Sequence, residues 1–265
     1  MTLGNPLVDV GLPEVPLANA PLVRVIAQVR FPEILSVEKR GFVAPFQEAL
    51  RQDYPVFREE KSQSVFVGRG AVRHERPHTA WRLSNREDSW RVTLTSSFVS
   101  LETNAYSSQT DFLQRLALVL TATKVSISPA SVDRLGIRYI DRIVGEDANH
   151  IGGLVRPEVL GVLATETCGH VLHSLTETLF RAENPDCIVL MRTGALPANA
   201  IIDLTAVEPV PEKSWILDLD AFGEHAEDFD VDWIVREIKG YSARIYAVFR
   251  WVVTKRFLEH FGGVQ

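Results

Sequence analysis

The chain has 265 residues, of which 46% are hydrophobic, and carries a formal net charge of −6. This length and composition predict a globular protein with a proper core, and the acidic balance does not favour nucleic acid or an anionic membrane surface as a partner. Two cysteines, Cys168 and Cys187, are too few for a disulfide framework, so we expect a reducing cytoplasm and no secretory leader. Because no apolar run reaches about 18 residues, we expect no membrane span.

Residues 1–21 have a composition that favours an extended arm over a packed element. The segment holds two glycines and the prolines Pro6, Pro13, Pro16 and Pro21. Such an arm is expected to wrap either the body of its own chain or a partner.

Hydrophobic periodicity predicts the elements of a first half, residues 22–150. The predicted strands are 22–31, 64–72, 79–85, 89–103 and 132–143, and the predicted helices are 36–54 and 107–126. Ser36 is expected to cap the first helix, and Ser107 or Ser108 the second. With a turn at 85–88, the element order of this half is β-α-β-β-β-α-β.

Residues 151–265 form a second, strand-rich half that ends in one long helix. The predicted elements are a helical piece near 156–163, strands near 170–181, 187–194, 200–207 and 214–221, and a helix from about 231 to 261. At a rise of 1.5 Å per residue, that helix is about 45 Å long. We therefore expect an α+β fold, with antiparallel sheets in two similar halves packed against long helices and the two halves joined in one compact unit.

Two histidine-containing segments match metal-binding patterns only in part. HERPH (74–78) satisfies the H-E-x-x-H pattern of zinc proteases, but Pro77 sits where the helix must continue, so an exposed hairpin loop is expected. In CGHVLH (168–173), Cys168 and His170 share a face of a strand while His173 points away. Polar residues near a strand start are therefore favoured over a metal site.

The segment DLDAFGEHAEDFDVD (218–232) is densely acidic. It lacks the ligand spacing of an EF-hand, because Phe222 and Phe229 stand at ligand positions. Asp218 and Asp220 are weak candidates for a divalent-ion site, and a strand end, a solvated turn and an acidic helix start are the favoured interpretation. A nucleophile elbow, a phosphate-binding loop and a dinucleotide fingerprint are all missing from the sequence, so we expect no cofactor, and an enzyme is the less favoured class.

The strand VDRLGIRYIDRI (132–143) places three arginines on one face. Strand alternation puts Arg134, Arg138 and Arg142 on this face, and it puts mainly apolar side chains on the other. Two interpretations stay open. The arginines pair with carboxylates across the sheet, for which the candidates are Glu102, Asp203 and Asp218, or they line a basic surface for an anionic ligand or an acidic protein.

Three further residues belong to this candidate binding set. Arg24 and Arg30 lie on the first predicted strand, and Gly136 lies between Arg134 and Arg138. A glycine inside a strand usually marks a bend or a close approach by another chain or ligand. The predicted binding residues are Arg24, Arg30, Arg134, Gly136, Arg138 and Arg142.

Four segments carry a likeness that covers nearly the whole chain from residue 21 onward. They are PLVRVIAQVRFP (21–32), SSFVSLETNAYSSQTDF (96–112), the R-x-G-x-R-Y-x-x-R box RLGIRYIDR (134–142) and the L-D-x-D-x-F motif LDLDAF (217–222), which a long helix follows. Together they resemble a sporadically distributed, uncharacterised bacterial protein family of roughly this length. Its members tend to carry a histidine near the middle of the final helix, whereas the stretch from Tyr241 to Tyr246 contains none, so no role for such a histidine is carried over.

The resemblance implies an accessory, immunity or antitoxin-like partner binder and supplies no catalytic residues. We therefore expect a non-enzymatic, cytoplasmic protein-binding factor of a bacterial defence or toxin-antitoxin locus. Its expected partner is another protein, such as a toxin or effector from a neighbouring gene, and an oligomer is compatible with this role. The alternatives are a protein that binds a small anion or nucleotide on its arginine-lined sheet face, and a hydrolase of such a ligand.

Overall fold

The structure is a computed structural model that describes residues 4–9, 11–62, 65–68, 71–74, 78–200 and 207–263. The chain divides into two compact units. Unit 1 comprises Met1–Val25, Gly136–Gly223 and Ile238–Gln265, and unit 2 comprises Ile26–Leu135 and Glu224–Glu237. The domain division at residue 150 that the sequence suggests stays a prediction.

Runs of consecutive strands are separated by helices, which is the element order of an α+β protein. The strands are β1 (Leu22–Arg30), β2 (Val56–Ser62), β3 (Val65–Gly68), β4 (Ala71–His74), β5 (His78–Ser84), β6 (Trp90–Leu94), β7 (Phe98–Thr103), β8 (Ser131–Val144), β9 (Ser174–Ala182), β10 (Cys187–Leu196) and β11 (Ser214–Asp228). The α-helices are α1 (Arg40–Leu50), α2 (Gln109–Ser126), α3 (Gly145–Asn149), α4 (Val231–Val252) and α5 (Lys255–His260). Among the described helices, none combines the length and the apolar character needed to cross a bilayer.

Nine of these strands form one large antiparallel sheet, in the order β2-β5-β6-β7-β1-β8-β11-β10-β9, and β3 pairs with β4 separately. The expected α+β class is confirmed. The similarity of two halves stays a prediction.

In unit 2, the strands β2, β5, β6 and β7 place apolar side chains on one face, against α1 and α2. Trp81, Leu83 and Leu94 are buried there. The indole nitrogen of Trp81 donates a hydrogen bond of 2.7 Å to the carbonyl of Val37, which fixes the turn before α1. Strand alternation leaves the arginine-bearing side chains on the opposite face.

In unit 1, β10 and β11 pair along nine residues, from Ile188 opposite Phe222 to Leu196 opposite Ser214. Burial alternates along β10, with Val189 and Met191 buried and Leu190 half-buried. The apolar residues of α4 from Ile238 onward are buried in the same unit, and the hydroxyl of Ser242 shares a hydrogen bond of 2.8 Å with the hydroxyl of Tyr139. One face of this part of the sheet is therefore core, and the other is open.

Several predicted elements are correct, and α2 is the clearest case. Its N-cap is Ser108, whose hydroxyl accepts a hydrogen bond from the backbone N–H of Asp111. The arginine-bearing strand is also where the alternation predicts it, as β8. The serine cap of α2 and the alternation along β8 each lie within a single element, which is the kind of signal that a sequence carries locally.

The prediction of one strand over 89–103 is wrong, because the segment folds back on itself. The hydroxyl of Thr95 accepts hydrogen bonds from the backbone N–H groups of Ser97 and Phe98, and this turn separates β6 from β7. The strand predicted over 64–72 is likewise two strands, β3 and β4. Its sequence holds GRG at 68–70, a pair of glycines that favours a turn.

The element predictions also missed β2 and misplaced the start of the first helix. Strand β2 is rich in charged residues, as suits the end position that it holds in the sheet order. Ser36 lies in a 3-10 turn, Leu35–Glu38, so it does not cap α1, which begins at Arg40. The carboxylate of Glu38 accepts from the backbone N–H of Thr79 at 3.1 Å, and this contact holds the turn apart from the helix.

The single helix predicted over 231–261 is also wrong, since it breaks between α4 and α5. The carbonyl of Val252 accepts from the backbone N–H of Arg156, and the N–H of Thr254 donates to the carbonyl of Leu154. The Thr254 hydroxyl then caps α5 by accepting from Phe257. Competing backbone partners thus end α4, whose 22 residues span about 33 Å.

The solvated turn predicted within the acidic segment 218–232 is wrong, because β11 continues to Asp228. The backbone N–H of the next residue, Phe229, still donates to the carbonyl of Ala130, which precedes β8. The strand predicted over 200–207 and its candidate acid Asp203 fall on residues 201–206, outside the described residues. Most of the HERPH loop is outside them as well, while His74 ends a strand and His78 begins one.

Candidate functional site

The central arginine of the predicted row forms a buried, two-pronged ion pair. The Nε and Nη2 atoms of Arg138 donate to Oδ1 and Oδ2 of Asp218, both at 2.7 Å. The Asp218 side chain is 2% exposed, and that of Arg138 is 15% exposed. A bidentate geometry of this kind makes the strongest class of protein ion pair.

A second arginine reaches the same carboxylate from the neighbouring strand. Arg192 lies directly opposite Asp218 in the register of β10 with β11, and its Nη1 lies 3.4 Å from Oδ2 of Asp218. Its Nε donates to Glu177 of β9 at 2.7 Å. Glu177, Arg192, Asp218 and Arg138 thus form a chain of ion pairs across four strands, which we call the ladder, and their formal charges cancel.

The remaining predicted binding residues are placed apart from the ladder or at its margin. Arg142 is buried, its Nη1 donates to the carbonyl of Glu208, and burial lowers the pKa of its guanidinium. Arg24 and Arg134 are half-buried, and Arg30 is exposed. Gly136 is buried within β8. The structure therefore brings only Arg138 of the row into the ladder.

The ladder is one row of a larger surface on unit 1. In register, Glu177, Arg192 and Asp218 form one row across β9, β10 and β11, Leu179, Leu190 and Asp220 form the next, and Arg181, Ile188 and Phe222 form the third. All nine side chains share one side of the strands because they are spaced by two residues. We call this surface the open face.

The open face carries apolar side chains that stay in contact with solvent. Leu179 is 63% exposed, and Leu175, four residues away on the same side of β9, is 39% exposed. Ile188, Leu190 and Phe222 are half-buried. Large apolar side chains aligned across three strands, next to charges that are already paired, are the composition of a protein-binding surface more than of a polar ligand site.

In unit 2, the strand arginines Arg82 and Arg91 also face carboxylates. Arg91 pairs with Glu102 at 2.9 Å, and Arg82 pairs with Glu60 at 3.1 Å. Arg58 lies directly opposite Arg82 in the register of β2 with β5. The space that these arginines line measures about 20 Å3, which is roughly enough for a water molecule.

Arg244 of α4 is a fully buried cation that sequence reasoning missed. Its guanidinium donates to the carbonyls of Pro6, Val8 and Asp9 in the arm and to those of Glu183 and Asn184 after β9. Burial lowers its pKa. A signal for it exists in the sequence, because a lone arginine interrupts the apolar stripe of the helix between Tyr241 and Ile245.

Other contacts bind the rest of the arm to unit 1. The hydroxyl of Tyr246 accepts from the N–H of Val15 and donates to the carbonyl of Pro13, and the N–H of Asn19 donates to the carbonyl of Phe261. A cavity of about 380 Å3 is lined by the start of the arm, Gly4–Leu7, and by Phe180, Val248 and Trp251. Of the two possibilities left open for the arm, the structure shows it wrapped on its own chain.

Asp141 is a second missed residue, and it lies on the core-facing side of β8, on the same side as Tyr139. It is 7% exposed, and burial raises the pKa of its carboxyl to about 7 from an ordinary value of 3.8. The pattern offered a signal, since Asp141 is a charged residue between Tyr139 and Ile143 on a mainly apolar side of the strand.

The weak metal candidates do not gather into a site. Across the described part of the chain, no group of three or more His, Cys, Asp or Glu side chains is placed to hold a metal ion. Asp218 is occupied by two guanidinium groups. Cys168 and His170 lie in an exposed 3-10 turn before β9. No protein-family model and no curated protein matches the chain.

Proposed function

We propose that the protein is a non-enzymatic binding factor that acts in a reducing cytoplasm and recognises another protein through the open face of unit 1. One observation carries the proposal: the exposed and half-buried apolar side chains of the open face are aligned beside the ladder. Both cysteines are free thiols, in keeping with the compartment.

The ladder suits this role because its buried members, Arg138 and Asp218, need no new partners. Bringing an unpaired charge into an interface costs desolvation energy, whereas Arg138 and Asp218 are already matched within the chain. A partner can therefore cover Leu179 and Leu190 without burying a charge that lacks a counter-ion. The expected partner presents an apolar patch, with a polar rim that reaches Asp220 and Arg181.

The identity of the partner follows from the resemblance to the sporadically distributed bacterial family. We propose an antitoxin-like or immunity-like role, in which the bound protein is a toxin or effector encoded by a neighbouring gene. The proposal leaves Arg138 and Arg142 as structural residues of the binding unit. It assigns recognition to the side chains beside them.

Co-purification of the neighbouring gene product with the chain, both at native levels, tests the proposal. The variant Leu190→Arg puts a charge in the middle of the open face and is expected to weaken binding at least tenfold. Val125→Arg is the matched control, because Val125 is 79% exposed on α2 and belongs to unit 2, whereas the open face belongs to unit 1. Melting temperatures of both variants establish that the fold is kept.

Equal binding by the wild type and by Leu190→Arg would overturn the proposal. A melting temperature that rises with a nucleotide or a small anion, and that no longer rises in Arg134→Ala, would favour the anion-binding alternative.

A further inference from the structure

Among the described strands, β9 of unit 1 stands at the end of the large sheet, and it is unusually exposed. It stands last in the sheet order and pairs with β10 along one of its edges. Five of its nine residues are exposed, including Leu179 at 63%. The outer edge of such a strand presents backbone N–H and C=O groups that can pair with another strand.

The side chains along β9 form a pattern that is complementary to itself. Glu177, Leu179 and Arg181 share the open face and are spaced by two residues. When two copies of β9 pair antiparallel about a two-fold axis at Leu179, Glu177 of each copy lies opposite Arg181 of the other. Leu179 then lies opposite Leu179. Each copy thus contributes one acid, one base and one apolar side chain to its counterpart.

The present partners of these charges do not prevent the exchange. Arg181 pairs with Asp186, but their side chains are 76% and 70% exposed. Glu177 is 55% exposed in its pair with Arg192. Exposed ion pairs contribute little, since water screens them and holding both side chains costs entropy. Either residue can turn to a new partner at small cost.

We propose that two copies of this chain associate through β9, antiparallel and two-fold symmetric about Leu179, so that the sheet continues from one copy into the other. Such an isologous contact requires a self-complementary patch, which Glu177, Leu179 and Arg181 supply. The backbone bonds hold the pair together, and the charges set the register. This inference goes beyond the proposed function, because it concerns the backbone edge of β9, whereas the test of the partner protein is made at Leu190 of β10.

Charge exchange at the edge tests the proposal on the full chain. Wild-type protein is expected at twice the 29.7 kDa of one chain in light scattering. The variants E177R and R181E each place like charges opposite each other, so each is expected to be monomeric. An equimolar mixture of the two restores both opposite-charge contacts and is expected to dimerise, as is the double variant E177R/R181E.

The mixture also controls for folding, because a variant that had merely lost its structure could not be rescued by another. A monomeric wild type across the micromolar range, single variants that stay dimeric, or a mixture that stays monomeric would each overturn the proposal. The interior variant Leu190→Arg is expected to keep the dimer while losing the partner protein, so the two proposals fail separately.

Discussion

Both units place arginines on a sheet face, where they pair with carboxylates on neighbouring strands. The two faces differ in how exposed these ion pairs are to solvent. In unit 1 the shared carboxylate of Asp218 is 2% exposed. In unit 2 the Arg82 and Glu60 side chains are 36% and 41% exposed. The same residue pattern therefore predicts different losses of stability in the two units. When one member of a buried ion pair is removed, solvent cannot stabilise the charge that is left.

The largest effect is expected from Asp218→Asn. The substitution leaves Arg138 and Arg192 without their shared acid in a site that excludes water, which should cost about 3–5 kcal/mol of unfolding free energy. Urea unfolding of the purified chain measures it. A loss below about 1 kcal/mol would mean that solvent already compensates the ladder, and the contrast between the units would disappear.

Arg244→Met comes next, as the test of a buried cation whose two Nη atoms donate to backbone carbonyls. The variant keeps an apolar chain of similar length and removes the donors that hold Pro6, Val8 and Asp9. Because bonds to a charged donor contribute about 1.5–3 kcal/mol each and are not additive, we expect a loss of about 2–4 kcal/mol.

The arm should also become accessible to limited proteolysis in Arg244→Met, with new cuts in residues 4–20 that mass spectrometry can locate. Lys255→Met is the control, since that side chain is 71% exposed and should leave the arm protected. An arm that stays protected in Arg244→Met would show that Tyr246 and Phe261 hold it without the guanidinium.

Many of the residues on these two faces could be predicted from the sequence, and the features that could not be predicted share one cause. Alternation along β8 identified the arginine row, and Asp218 and Glu102 were among its candidate acids. In the structure, Asp218 forms an ion pair with Arg138, whereas Glu102 forms one with Arg91 of β6. Which strand lies beside which, and in what register, depends on pairing between distant segments, so local periodicity does not contain it.

The arm and the strand breaks show the same limit in other forms. Prolines predict an extended arm over residues 1–21, but its anchor, Arg244, lies more than two hundred residues away in sequence. The turn at Thr95 depends on one hydroxyl that accepts hydrogen bonds from two backbone N–H groups. The apolar pattern continues across the turn without a break, so periodicity does not predict it.

Asp141→Asn tests a buried carboxyl of unit 1 through the pH dependence of stability. Burial raises the pKa of the Asp141 carboxyl in the folded chain to about 7, whereas the unfolded chain titrates near 3.8. Between these values the folded state holds a proton that the unfolded state has lost, so this residue lowers stability as the pH rises toward 7. Asn cannot ionise, and the variant is expected to melt above the wild type at pH 8 and together with it below pH 4. Parallel melting curves across that range would contradict a buried, protonated Asp141.

The smallest effects are expected from the carboxylates of unit 2. Glu60→Gln removes half of a pair that water already screens, and the expected loss is about 0–1 kcal/mol, reduced further by salt. Glu102→Gln should cost somewhat more, because Glu102 is only 12% exposed beside Arg91. Urea unfolding at low and high salt should thus rank the losses as Asp218, Glu102 and Glu60, in the order of their burial. A Glu60 variant as unstable as the Asp218 variant would mean that register, and not solvent access, sets the strength of these pairs.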